Sequence, residues 1–320
     1  MTTQSLNNQS YNRLSVRPWL KDYWLLIVIV LGGLAMENAI FISKAFRQST
    51  TVDPEAAARL GSFVGGYVGT IFALTGVALL FETLKTQKQS YEKQSFENKY
   101  FELIKLHREN VAEADLGDAS GRKVFVFLLR EFRCIMDVVR RLAESCNQQL
   151  TVAQLRHVAY YCLFYGVGPN SSRMLKISLS NFDPTFITAV EEQLNDDGLK
   201  DKIRRERGFP YKPFEGHQSR LGHYYRHLFQ MVRYVDESPL TIDKYAYMKT
   251  IRAQLSTHEQ SMLLVNSLTP LGCVWWSKRL ILEYSLEKNI PRGFFDPSTE
   301  LDTGTLFPKS YFEWEENQPE

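Results

Sequence analysis

The stretch GHQSRLGHYYRHLFQMVRYVDE, residues 216 to 237, holds three of the six histidines in the chain. His223 and His227 stand four apart, the spacing at which two imidazoles on one helix face can meet a single metal ion. No third ligand lies close by. Tyr224, Tyr225 and Arg226 fill the positions where a metalloprotease helix would carry its catalytic glutamate. A metal is therefore not expected here, nor is any other cofactor. The spacing instead yields two stripes. Arg220, His223, His227, Gln230 and Tyr234 make a polar one, and Leu221, Tyr225, Leu228, Val232 and Val235 an apolar one. The apolar stripe reads as core, and the polar one as a hydrogen-bonded interior network or a ligand surface. Downstream, KYAYMKTIRAQLSTHEQSMLLVNSL separates Arg252 from His258 by five residues. In the same stretch Ser256 and Glu259 fit a capping box ahead of the apolar MLLV, which accounts for both as the start of a helix.

The elements that hold these residues read as helices almost throughout. ETLKTQKQSYEKQS, residues 82 to 95, contains neither proline nor glycine and continues a helix, and Phe96, Tyr100, Leu103, Ile104 and Leu106 then restore apolar helical spacing. GDASGRKV breaks the pattern before VFVFLLREFRCIMDVVRRLAESC, a second helix. Thr151 can cap VAQLRHVAYYCLFYG, which stops at Gly166, and Asp183 with Pro184 opens TFITAVEEQL. NDDGLKDKIRRERGFPYKP is charged and rich in turn residues, so it reads as a surface loop dividing the domain. The aromatics of RGFFDPSTELDTGTLFPKSYFEWEE read as tucked onto the surface.

Two segments ask for a different solvent. Leu60 to Phe81 is free of charge over 22 residues, enough at about 1.5 Å per residue to cross a hydrocarbon core of roughly 30 Å. It spends glycine at 61, 65 and 69, a poor choice for a helix in water. In lipid, backbone satisfaction enforces the helix anyway, and glycine lets a second backbone approach. The other segment runs from Trp24 to Ile42, with Trp19 and Tyr23 suited to a headgroup belt. It contains Glu37 and Asn38, polar groups that are costly within a span and that point to a polar path or to neutralisation near Lys44.

Charge sets the orientation. Arg13, Arg17 and Lys21 before the first span balance Lys44, Arg47 and Arg59 in the connecting loop, whereas Lys85, Lys88, Lys93 and Lys99 follow the second. Both ends therefore face the cytoplasm. The four cysteines show neither CxxC spacing nor a disulfide framework. A net charge of +2 is too slight to indicate direct nucleic-acid binding. The expected fold is all-α. It comprises a cytoplasmic segment 1–22, a two-helix transmembrane hairpin 23–81 with spans near 23–43 and 60–81, a helical stalk 82–112, and a helical cytoplasmic sensor or effector domain 113–320. Two helices cannot enclose a polar path, so a membrane activity would need several copies packed along Gly61, Gly65 and Gly69, with Glu37 and Asn38 lining the path.

KYFELIKLHRENV followed by GRKVF, then GHQSRLGHYYRHLFQMVRYVDE, then KYAYMKTIRAQLSTHEQSMLLVNSL, together resemble the phage abortive-infection membrane proteins. The resemblance spans most of the region from about 95 to 290, after two predicted spans. It implies a bacterial anti-phage effector of the inner membrane that arrests or kills the infected cell. It brings no catalytic residues, so Arg220, His223, Tyr224, Arg226, His227, Arg252 and Glu259 stand as trigger or ligand candidates. Similar two-span proteins accompany retron reverse transcriptases. The implied partners are thus the bilayer, further copies of the chain, and a sensor complex such as a retron reverse transcriptase with its DNA, or a phage component. A second reading is enzymatic. Arg252 and His258 also resemble the R-x4-6-H signature of HEPN-type ribonucleases and would be the catalytic pair of a membrane-tethered nuclease. Arg220 and His227 fit the same loose pattern.

The orientation is checked with topology reporters. A reporter active only in the cytoplasm should work when fused after Glu320, and one active only in the periplasm should work near Thr51. The reverse pattern would overturn the assignment.

Overall fold

The computed structural model describes residues 24, 27, 28, 31–33, 35, 38, 39, 47, 48, 51, 52, 54–168, 171–308 and 310–316. The protein is predominantly helical, and the chain divides into two compact units, Met1–Tyr91 and Glu92–Glu320.

In the first unit the described positions between Trp24 and Ala39 are helical, Asn38 among them, while Glu37, Lys44 and the segment 1–22 lie outside the described residues. A minimal hairpin follows, β1 (Arg47–Gln48) against β2 (Thr51–Val52), with Arg47 opposite Val52. The second apolar segment is not one uniform α-helix. Helix α1 (Pro54–Phe63) passes into a π-helical turn, Val64–Val68, before α2 (Gly69–Ala112) begins. A π turn loosens the backbone ladder, and the Thr70 hydroxyl donates to the Gly66 carbonyl there. Thr75 donates to the Ile71 carbonyl in the same way at 2.8 Å. Among the described residues one helix, Ala57–Ala112, is long and apolar enough to cross a membrane, and none of its apolar stretch is buried. Phe63, Tyr67, Leu74, Leu80 and Phe81 are each more than half exposed. A soluble core helix would hide such side chains.

The second unit has a continuous core. The C-terminal half of α2 belongs to it through Phe96, Tyr100, Ile104, His107 and Val111, all buried, whereas Leu106 points outward. A two-residue hairpin, β3 (Asp115–Leu116) with β4 (Ala119–Ser120), turns at Gly117, whose φ of +66° favours glycine. Helix α3 (Lys123–Ser145) then packs on α4 (Val152–Tyr165), α6 (Pro184–Asn195) and α10 (Thr257–Ser267), with α5 (Ser172–Ser178) between α4 and α6 in sequence. Local chemistry fixes the helix ends. Thr151 and Gln154 form a full capping box, Asp183 accepts from the Phe186 amide at 2.8 Å ahead of Pro184, and Ser256 with Glu259 forms the second box. Helix α10 is buried on every side from Glu259 to Ser267, as a central helix must be.

Two expectations are corrected. The charged stretch after Asn195 is a helix, α7 (Asp197–Arg207), not a dividing loop. Asp196 caps it, Lys200 and Ile203 turn inward, three arginines occupy its last turn, where the helix dipole favours cations, and Gly208 ends it at φ +65°. The C-terminal aromatics are core rather than surface. Phe307, Tyr311 and Phe312 are buried, with the first two rings stacked at 4.1 Å, and the Tyr311 hydroxyl donates to buried Glu287 at 2.9 Å.

At the centre of α3 stands Glu131, fully buried. Its carboxylate accepts from Tyr211 Oη at 2.5 Å, the Phe214 amide at 2.7 Å and His217 Nε2 at 2.9 Å. A buried carboxylate without partners is prohibitively costly, and three donors offset that cost. The same loop is sewn to the end of α4 by backbone bonds, Val167 N–H to Phe214 and His217 N–H to Leu163 and Phe164. Gly166 (φ +82°) and Gly216 (φ +90°) cross so closely that a Cβ on either would strike the other strand's carbonyl. Glu131→Ala strips an acceptor from two buried donors and the half-buried Tyr211 hydroxyl and should cost about 3 kcal/mol or more, measured by urea unfolding of the detergent-solubilised chain. A loss below about 1 kcal/mol would show that the carboxylate is not the tie.

Candidate functional site

The Glu131 loop ends at His217, and α8 (Gln218–Asp236) starts on the next residue, so the polar stripe is launched from that buried carboxylate. Along α8 the stripe meets the C-terminal half of α2. His227 stacks on His107 with ring centres 6.0 Å apart, and Tyr234 stacks on Phe96 at 5.0 Å while its hydroxyl donates to the Phe96 carbonyl at 3.3 Å. Nearer its start, Arg220 Nε donates to the Asp115 carbonyl of the hairpin at 2.8 Å.

Arg220, His223 and Tyr224 converge on a cavity of about 280 Å³ that Asn110 and Glu113 at the end of α2 and Phe125 of α3 help to line. Arg220 and His223 are exposed at its edge, and Tyr224 is buried. Behind it lies the network that fixes it. Tyr224 Oη donates to Glu259 Oε1 at 3.3 Å, and the Ser256 amide donates to Glu259 Oε2 at 2.8 Å. Arg122 Nε stands 3.8 Å from the same carboxylate, while Arg122 Nη2 holds the Gln254 carbonyl at 2.8 Å. Glu259 thus does more than cap α10: its fully buried charge joins α3, α8 and α10. Burial, with the adjacent Glu259 charge, raises the Tyr224 hydroxyl well above its ordinary range, so it stays a donor.

His107 escaped the reading of the chemistry-bearing residues. It is 1 % exposed, and neither its ring nitrogens nor those of His227 have a hydrogen-bond partner among the described residues. Burial pushes the His107 imidazole down to about 4, helped by His227 and Arg122 nearby. His227 is lowered as well, by burial first and then by His223. The signal lay in the spacing of Phe96, Tyr100, Ile104 and Val111, since position 107 falls on that apolar face.

The remaining candidates lie elsewhere. Arg226 is exposed and holds the Gly222 carbonyl through Nε at 2.9 Å. Arg252, in α9 (Lys244–Gln254), is buried and donates to the carbonyls of Ser285 at 3.0 Å and Tyr284 at 3.4 Å. His258 packs edge-on against Phe294 at 5.5 Å. Arg252 and His258 therefore rest on different partners, and no hydrogen bond or ring contact joins them. Among the described residues no group of three or more His, Cys, Asp or Glu side chains could hold a metal ion.

Residues 216–295, a quarter of the chain, match the model of a family described as "Putative phage abortive infection protein". That segment runs from the residue before His217 through α8, α9 and α10 to Phe295, and its match supports a phage-defence role. No curated protein and no solved structure matches the chain.

The neutral His107 predicts an acid sensitivity. Above pH 6.5 the ring is neutral folded or unfolded. Between 6.5 and about 4 the unfolded chain binds a proton that the folded chain does not, so stability falls with pH. From pH 7 to 5 this group should cost about 2 kcal/mol. His107→Phe keeps the ring and removes the proton, so its unfolding free energy should drop by that much less over the same interval. An equal drop in both proteins would refute a neutral, buried His107.

Proposed function

We propose that this protein is an abortive-infection effector of the bacterial inner membrane, sensing infection through a cytoplasmic unit and breaching the membrane by assembly of its spans. The observation that carries the membrane part is the bare apolar helix. None of its apolar stretch is buried among the described residues, and in water that exposure would be costly, at roughly 25 cal/mol per Å². Lipid is the solvent that removes the penalty. Two spans, with the first near 23–43 and the large unit in the cytoplasm, belong to this proposal.

The glycines support assembly. A Cβ added at Gly61, Gly65 or Gly69 would meet nothing within 4 Å, so no packing within the described chain accounts for them. The open stripe suits the backbone of a second copy. A π turn at Val64–Val68 lies within that stripe, and such turns concentrate at functional positions. Several copies together could enclose a path that Glu37 and Asn38 line. The trigger acts at the Arg220–His223–Tyr224 cavity, where a bound partner would bear on the end of α2, the helix that also carries the exposed apolar stretch. The partner at that cavity would be a sensor complex, such as a retron reverse transcriptase with its DNA, or a phage component.

Gly65→Leu tests the assembly. The span stays apolar and helix propensity improves, so insertion should survive. The added side chain would hold neighbouring helices apart. The variant should remain in the membrane yet lose depolarisation and at least tenfold of its protection against phage. A tethered nuclease would tolerate this change and fail with His258→Ala, with RNA cleaved before the membrane potential falls. Normal depolarisation by an inserted Gly65→Leu protein would overturn the glycine-assembly mechanism.

A further inference from the structure

A different side of α8 lines a second and larger cavity, about 450 Å³, which lies wholly within the Glu92–Glu320 unit. That volume is in the range of small-molecule sites. Its floor is aromatic and buried: Phe164 at the end of α4, and Trp275 of the short helix Val274–Ser277, edge-on to Phe229 at 5.2 Å. Its exposed rim carries Gln218, Arg226 and Gln230 of α8 in one polar row, together with the apolar Leu271.

Three features distinguish this cavity from a packing defect. The rim row has a period of four along α8, at 218, 222, 226 and 230, and the second member is Gly222. Glycine is the poorest helix former after proline, and the backbone at Gly222 does not need it, for φ there is not positive. A Cβ at 222 would meet only the Phe164 ring, at an ordinary 3.8 Å, so close packing does not demand glycine either. What a side chain at 222 would take away is cavity volume. Second, Arg226 is the sole charged residue in the lining. Its Nε is spent on Gly222, but its terminal nitrogens have no hydrogen bond and it forms no ion pair among the described residues. Third, amides stand at both levels. Gln218 and Gln230 sit at the rim, and buried Asn266 sits below, its Nδ2 donating to Tyr160 Oη at 2.8 Å.

We propose that this cavity binds a free nucleotide. Half-buried aromatic rings of the lining, Tyr165 and Phe229, can meet a base, amides carry both a donor and an acceptor for the base edge, and the free terminal nitrogens of the Arg226 guanidinium recognise phosphate. A lipid tail would not need the amides, and a bare anion would not need the aromatic floor. The site stands apart from the membrane proposal: its failure would leave the Gly65 test untouched, and failure of that test would leave nucleotide binding in place.

Equilibrium dialysis of the full-length protein in detergent decides the matter. The probes are the four ribonucleoside 5′-monophosphates, with ribose 5-phosphate and inorganic phosphate as ring-free controls. At least one nucleotide should bind saturably and at least tenfold more tightly than ribose 5-phosphate. Arg226→Gln, an exposed substitution that should leave the fold intact, should weaken it tenfold or more. Gly222→Leu should abolish binding, and Gly222→Ala should weaken it several-fold with the unfolding midpoint held or raised. Binding of none of the four, equal binding of ribose 5-phosphate, or unchanged affinity in Arg226→Gln would each overturn the proposal. So would binding of a long single-stranded RNA by a protein that ignores all four mononucleotides.

Discussion

A single buried carboxylate organises the large unit. Glu131 lies on α3, and the three donors it satisfies all come from one loop, Tyr211 to His217. In a dry interior the carboxylate cannot be left unpaired, and the loop therefore has one place to go. Because α8 starts on the residue after His217, that constraint fixes where the helix begins and how it is turned. The glycine crossing at 166 and 216 closes the joint from the other side, where only residues without Cβ can pass. Both cavities along α8 inherit their shape from this joint, as does the contact between α8 and α2.

The Glu259 network repeats the device at a second point. There a helix cap, a tyrosine and an arginine converge on one carboxylate, so α10 is located in the core by the same group that starts it. Helix α2 shows the opposite arrangement. From Gly69 to Phe81 its apolar side chains are exposed, and from Phe96 to Val111 every third or fourth residue is buried. One helix thus meets two environments, and the polar run from Glu82 to Ser95 separates them.

Those features that depend on neighbours in sequence were legible beforehand. Thr151 as a cap, Asp183 with Pro184, and Ser256 with Glu259 start helices by chemistry confined to four residues, and Gly166 stops one. The two stripes of α8 were readable because periodicity is local too. What the stripe would touch was not. His107 meets His227 from 120 positions away, and Glu131 meets His217 across 86. Composition also misled. The charges of 197–207 suggested a loop, although a cap at Asp196 and two inward residues, Lys200 and Ile203, suffice for a helix. The terminal aromatics looked peripheral, but an unpaired Phe307 or Tyr311 loses too much in water to remain outside.

The span of these contacts has a consequence for the chain as it is made. Tyr100 bonds to Tyr247, and Arg133 to the Phe294 carbonyl, across 147 and 161 positions. The core cannot close until nearly the whole of it has left the ribosome. Synthesis at about 5–20 residues per second separates residue 91 from residue 294 by roughly 10 to 40 s. The apolar helix has emerged by the start of that interval and, on the function proposed above, would meet the bilayer without a folded unit behind it. A restraint that arrives so late would leave every newborn copy unguarded, while an activator that arrives late does no harm. On the function proposed above, order of synthesis favours a large unit that turns the apolar helix on over one that holds it off.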